Sequence, residues 1–256
     1  MSWLQALLVL LAGMAAGTVN AIVGSGTLIT FPMLLAVGYS PVVANVSNTV
    51  GLAPGSISAA QGYRAELVGQ GRRLKVLGLA SLAGGVTGGV LLLTLPEGAF
   101  RAIVPVLIAL SCVLVVVQPW LTRRLSMAQR RQEHGGVALF VGVFLAGVYG
   151  GYFGAAQGVL LIALLGLFLD EHLQRVNAAK NVLAAIVNTV AAVLFIVVSI
   201  FNPGSHVAWL AAVLIAVGSV IGAQIGARVG RRTRPEILRG LVVLVGIVAI
   251  VQIVRG

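Results

Sequence analysis

The chain has 256 residues, of which 59% are hydrophobic and only 9% charged, with a mean hydropathy of +1.07. A soluble domain carries about 25% charged residues, so the composition excludes a soluble fold and points to a polytopic helical membrane protein. The net charge of +11 does not imply nucleic acid, because most of the 17 basic residues fall in three short loops between apolar runs: Arg64, Arg72, Arg73 and Lys75; Arg123, Arg124, Arg130 and Arg131; Arg228, Arg231, Arg232, Arg234 and Arg239.

The first apolar segment covers 3–23. It has no basic stretch before it and stays apolar past any cleavage point, so it reads as a retained first helix rather than a signal peptide. It gives way at "GTVNAIVGSGTLITFP" (17–32) to a short segment at 26–38. Thirteen residues make about 20 Å of helix, against a hydrocarbon core of about 30 Å, so this segment is a half-helix or part of a re-entrant hairpin. Full-length segments follow at 41–62, 74–95 and 99–121, and then a polar, basic linker at 122–135.

After the linker the same order returns: 136–153, a short segment at 157–169, then 174–200, 206–228 and 236–254. Landmarks recur in series, with Gly24 matching Gly154, Asn45 matching Asn177, Gly84 matching Gly218 and Gly88 matching Gly222. Pro96-Glu97 returns as Pro235-Glu236, each opening the last segment of its half, where proline and an acidic residue suit a helix start. An ordered series of this kind is an internal repeat. Gly218, Gly222, Gly226 and Gly230 form successive G-x-x-x-G steps, which read as close helix packing.

Basic loops mark the cytoplasmic side. In the first half the basic loop precedes the fourth segment, and in the second half it follows it, so the halves run in opposite directions. The sequence therefore predicts an all-α polytopic membrane protein built of two inverted repeats, 1–121 and 136–256, joined by the cytoplasmic linker 122–135. Each repeat has about five apolar segments, giving 8–10 in total, with one short or re-entrant half-helix per repeat. The links "GYSP" (38–41) and "NPGSH" (202–206) then fall outside, as do both termini. That layout belongs to secondary transporters, whose substrate sits near the midplane between the repeats.

Several chemistries find no support. There is no phosphate loop. His134, His172 and His206 are scattered, and Cys112 is alone, so neither metal-ligand spacing nor an internal disulfide is expected. The six acidic residues lie at segment ends, leaving no buried carboxylate pair. No enzyme, cofactor, metal or nucleic-acid partner is expected; the expected partners are the lipid bilayer and a small anion, with homo-oligomerisation left open.

The unusual residues gather at the two junctions and at the start of the third segment in each half. Asn20, Gly24, Ser25, Gly26 and Thr27 break the first junction, and "YGGYFGAAQG" (149–158) breaks the second with Gly154 and Gln157. A half-helix starting at membrane depth exposes unpaired N–H groups and a partial positive charge, which attract an anion. Inverted halves would aim two such ends at one point. Asn45 and Asn48 share one helix face, as do Asn177 and Lys180, with Asn181 beside them. Lys180 lies about two turns into its segment, where an ammonium must snorkel to the headgroups or meet an anion. The candidate substrate-binding set is Asn20, Gly24, Ser25, Gly26, Thr27, Asn45, Asn48, Gly154, Gln157, Asn177, Lys180 and Asn181.

At these residues the sequence resembles the sulfite exporter TauE/SafE family of membrane permeases, also called the toluene sulfonate uptake permease family. The resemblance lies in "AGTVNAIVGSGTLITFPMLLAVGYSPVVANVSNT" (16–49) and in its second-half partner "AGVYGGYFGAAQGVLLIALLGLFLDEHLQRVNAAKN" (146–181), and with the two-repeat layout it covers essentially the whole chain. It implies export of small sulfur-containing or carboxylate anions across the cytoplasmic membrane, coupled to protons. By position it implies that Gly24, Ser25, Gly26, Asn45, Gly154, Gln157 and Asn177 line the site. The family's run of three glycines is "GSGT" and "GAAQG" here, and no proline near Ala163 matches Pro32, so the named substrate is not carried over. An anion channel, or a membrane subunit of a larger permease, would share these features.

The predicted topology is open to direct test. Single cysteines introduced as Ser40→Cys or Gly204→Cys, with Cys112 replaced, should both react with a membrane-impermeant thiol reagent added outside intact cells. Labelling of either one only from the cytoplasm would break the inverted arrangement.

Overall fold

The computed structural model describes the chain except residues 127–135, 202–206, 231–234 and 256. It contains ten α-helices among the described residues: α1 (Trp3–Ile22), α2 (Thr27–Val37), α3 (Pro41–Gly62), α4 (Gly71–Thr94), α5 (Glu97–Ser126), α6 (Gly136–Tyr152), α7 (Gln157–Phe168), α8 (Leu173–Phe201), α9 (Trp209–Val229) and α10 (Pro235–Arg255), with a short 3-10 turn at Arg64–Leu67. No strand occurs among the described residues. The chain is an all-α polytopic membrane protein. Five helices (α1, α4, α5, α8 and α9) are long and apolar enough to cross a bilayer by length and composition.

Local chemistry sets the boundaries. Ser2 caps α1 through a reciprocal pair with Gln5, the two orphan donors of the first turn being satisfied together. Gly38, at φ +105°, ends α2 in the left-handed conformation, and Pro41 opens α3 at a position where its missing N–H costs nothing. α3 carries Asn45, Ser47, Asn48 and Thr49, all buried among other helices rather than facing lipid. The short helices fall where the sequence puts them. α2 spans 11 residues and α7 spans 12, about 16–18 Å each, too short to cross. α5 continues to Ser126, into the residues assigned to the linker; the rest of that linker, and the "NPGSH" link, lie outside the described residues.

Glycines set how closely the helices approach and reveal their directions. Along α1 and α9, Gly13 meets Ile215, Gly17 meets Ser219 and Gly226 meets Thr18, so these helices run parallel. Gly51, Gly55 and Gly62 of α3 meet Ile215, Ser219 and Ala227, so α3 shares that direction. In the other half, Gly84 and Gly88 of α4 lie on α6 near Gly147 and Val148, and Gly85 and Gly89 lie on α8 near Val187 and Ala191. α3 and α8 are antiparallel, since Ser47 bonds Ala208 N just past α8, Ser56 bonds Asn188, and Tyr63 clusters with Ala178. Packed pairs come in matched sets when α1–α5 is exchanged with α6–α10: α1 with α9 and α6 with α4, α3 with α9 and α8 with α4, α2 with α10 and α7 with α5.

One end of the bundle is basic. There Glu171 accepts from Arg73 at 3.0 Å and from Arg175 at 2.6 Å. Burial alone would raise the Glu171 carboxyl, but the two guanidinium groups outweigh it and hold its pKa below the usual carboxylate value.

The closest backbone approach gives a stability prediction. A Cβ on Gly222 would lie 1.9 Å from Met14 O, whereas one on Gly166 meets nothing within 4 Å. Gly222→Ala should push α1 and α9 apart and cost about 1–3 kcal/mol, as overpacking does, while Gly166→Ala should be neutral or slightly stabilising. Thermal unfolding in detergent checks both; equal midpoints for the two variants would contradict the packing described.

Candidate functional site

Two helix breaks meet inside the bundle. α1 ends at Ile22 and α6 at Tyr152, and each chain then turns through a left-handed glycine, Gly24 at φ +87° and Gly154 at φ +80°. The turns touch: Gly158 N donates to Gly24 O at 3.1 Å, and a Cβ on Gly24 would lie 2.4 Å from Gly158 Cα. Both the conformation and the contact require glycine at 24. Ala156, the residue before α7, is left-handed at φ +59° and fully buried, a conformation that costs a residue bearing a Cβ and is held here by its surroundings.

A helix that stops inside a bundle leaves its last carbonyls without intrahelical partners. The third helix of each half of the chain supplies them for the first helix of the other half. Asn177 and Asn181 of α8 both donate to Ala21 O, at 3.1 and 3.2 Å. Asn45 of α3, the counterpart of Asn177, donates to Tyr152 O at 2.9 Å. Lys180 joins the first of these caps. Its Nζ donates to Asn20 O at 2.8 Å, Asn181 Oδ1 at 2.9 Å and Ala21 O at 3.4 Å, and the residue is 0% exposed. The sequence leaves Lys180 between headgroups and anion; in this arrangement its three protons serve the negative end of α1 instead.

Beside the caps lies a small cavity of about 20 Å³, lined by Asn20, Gly24 and Thr27 from the first break, Gly154, Gln157 and Gly158 from the second, Ser56 and Ala59 of α3, and Lys180, Asn181, Ala184 and Asn188 of α8. That is room for about one water. Helices α2 and α7 both start here, so two positive helix ends face one space. Gln157 is 3% exposed and its Nε2 has no hydrogen-bond partner among the described residues; Ser25 Oγ, in the turn before α2, is likewise buried and unpartnered. At the two helix starts Gly26 N–H bonds Asn20 Oδ1 and Gly158 N–H bonds Gly24 O. The cavity is thus lined by one ammonium, held by the end of α1 and Asn181, one free amide donor and the starts of two helices, with no carboxylate among the described residues that line it. Such a set of donors suits a small oxyanion.

Of the twelve residues predicted, Asn20, Gly24, Thr27, Gly154, Gln157, Lys180 and Asn181 come together on this cavity. Ser25 and Gly26 lie in the first turn, behind it. Asn45 and Asn177 are spent on the caps. Asn48 faces α2, donating to Thr27 Oγ1 at 3.3 Å and accepting from Thr30 Oγ1. The prediction missed Ser56 and Asn188, which bond each other at 2.7 Å across the antiparallel α3 and α8. Their spacing of 132 residues, equal to that of Asn45 and Asn177, carried the signal. It also missed the brace under the second break, where Tyr149 donates to Ala155 O at 2.6 Å with Ser111 beside it at 2.8 Å.

The chain belongs to the sulfite exporter TauE/SafE family, whose sequence model matches residues 9–253. Among curated proteins it is similar to the probable membrane transporter protein YfcA of Escherichia coli (strain K12), 27% identical over 235 residues, covering 92% of this chain and 84% of that protein. It is also similar to a probable membrane transporter protein of Haemophilus influenzae (strain ATCC 51907 / DSM 11121 / KW20 / Rd), 25% identical over 209 residues, covering 81% of this chain and 78% of the relative. No solved structure gives a significant match. Membership of this family makes the chain a multi-pass membrane transporter.

Proposed function

We propose that the protein is a secondary transporter that moves a small organic or sulfur-containing anion, such as sulfite, a sulfonate or a carboxylate, across the cytoplasmic membrane. The observation that carries this reading is the buried, unpartnered Gln157 amide in a cavity onto which two half-helix N-termini and Lys180 converge. A buried donor without an acceptor, beside an ammonium and the starts of two helices, fits an anion rather than a cation or an apolar ligand. The direction is export and the coupling ion is the proton, as the family resemblance implies.

The two halves act as inverted repeats about the cavity, with basic loops in the cytoplasm and both termini outside. The opposed directions of α3 and α8 and the matched packing pairs support this. So does the cross-repeat capping, because a cap supplied by the opposite repeat ties the two breaks to one another's position. Alternating access then requires only that the repeats rock about a site both of them build.

Flux in proteoliposomes under an imposed pH gradient tests the proposal. Saturable, gradient-driven movement of sulfite or a small sulfonate is expected; non-saturating conductance would make the protein a channel, and no movement would leave it a subunit of a larger permease. Lys180→Gln keeps a donor for Asn20 O but removes the charge, and should weaken anion affinity about tenfold or more. Unchanged affinity would assign Lys180 to the α1 cap alone.

A further inference from the structure

The N-terminus of α2 is already occupied by a group of the protein's own. Gly26, the residue that opens α2, donates its N–H to Asn20 Oδ1 at 2.8 Å. Asn20 sits in the last turn of α1 and lines the cavity, and its backbone carbonyl is held by Lys180. A neutral amide oxygen thus stands in front of a positive helix end, where an anion's oxygen would bind.

The other break differs. The position matching Asn20, spaced as Gly154 is from Gly24, is Gly150, which has no side chain to offer. The carboxamide lying over Gly150 belongs to Gln157, and it presents an unpartnered donor rather than an acceptor. One N-terminus of the site is therefore closed internally, while the other holds a buried donor still to be satisfied.

We propose that Asn20 is an internal competitor for the transported anion: its side-chain oxygen closes the N-terminus of α2 while the site is empty and turns aside when an anion oxygen takes the Gly26 N–H. This rests on the anion reading of the cavity. A cavity of about 20 Å³ holds no oxyanion as it stands, so a lining group must move. The Asn20 side chain can rotate while its backbone stays fixed by Lys180. A charged acceptor makes a hydrogen bond about twice as strong as a neutral amide oxygen does, so the anion displaces Asn20. On release Asn20 takes the N–H back, and no helix end is left bare at membrane depth.

Two variants of the full chain in detergent test the proposal, by thermal unfolding in oxyanion-free buffer and by binding of sulfite and methanesulfonate. Asn20→Asp puts a carboxylate of the same shape at the helix end as a tethered anion. It should raise the unfolding midpoint by a few degrees without added ligand and abolish any anion-induced shift. Asn20→Ala removes the competitor, and the probe anion should bind about threefold to tenfold tighter. An Asn20→Asp protein that is less stable than the parent, or that keeps the anion-induced shift, overturns the proposal. So does Asn20→Ala binding no tighter than the parent; if that variant does not fold, Asn20→Ser, with its shorter side chain, takes its place under the same criterion. If the parent protein shows no shift with either probe, the anion reading fails, whereas the midpoint of Asn20→Asp still decides whether the end of α2 selects a negative oxygen at this position.

Discussion

Everything in this bundle answers to one constraint: two helices, α1 and α6, end against other helices inside the protein, where their last carbonyls need partners from the protein itself. Each unsatisfied group there costs several kcal/mol. The carbonyls at the ends of α1 and α6 meet amide and ammonium donors from α8 and α3. At the starts of α2 and α7, Gly26 N–H bonds Asn20 Oδ1 and Gly158 N–H bonds Gly24 O, while the Gln157 side-chain amide is buried without a partner among the described residues. An interrupted helix is costly in lipid, and the caps supplied from the opposite half of the chain offset that cost at both breaks.

Close packing makes the arrangement rigid enough to hold those donors in place. Small residues let α1 lie on α9 and α4 on α6 at backbone contact, so the breaks are carried by tightly paired helices. Between these pairs, α3 and α8 run antiparallel, each contributing polar residues to the centre. The near-symmetry is not complete. Lys180 caps α1, while Asn48, at the matching position 132 residues earlier, turns to Thr27 and Thr30 of its own half of the chain. Asn20 closes one helix start, while Gln157 leaves the other with a free donor.

Most of the architecture was legible in the sequence. The segment read at 41–62 is α3, Pro41–Gly62, because proline, glycine and hydropathy all change at its ends. The segments read as starting at 74 and 99 begin earlier, at Gly71 and Glu97, because polar first turns extend the helix beyond the apolar run. The breaks at Gly24 and Gly154 were marked by glycine clusters, and both glycines take the left-handed conformation. What the sequence could not reveal is the partner of each polar side chain. Asn45 and Asn48 share a helix face yet serve α6 and α2 respectively, and Lys180 finds its acceptors on a helix at the far end of the chain. Spacing assigns a face; only the tertiary arrangement decides which carbonyl lies opposite.

The proposed transport depends on the cavity between α2 and α7 being where the anion binds. A structure determined with a saturating concentration of sulfite or a small sulfonate tests this most directly. The prediction is ligand density between the first turns of the two half-helices, within hydrogen-bond distance of Gln157 Nε2, with the Asn20 side chain displaced from Gly26. Density instead in the apolar groove between α3 and α8, lined by Ile57, Ala60, Val182 and Ile186, would contradict it.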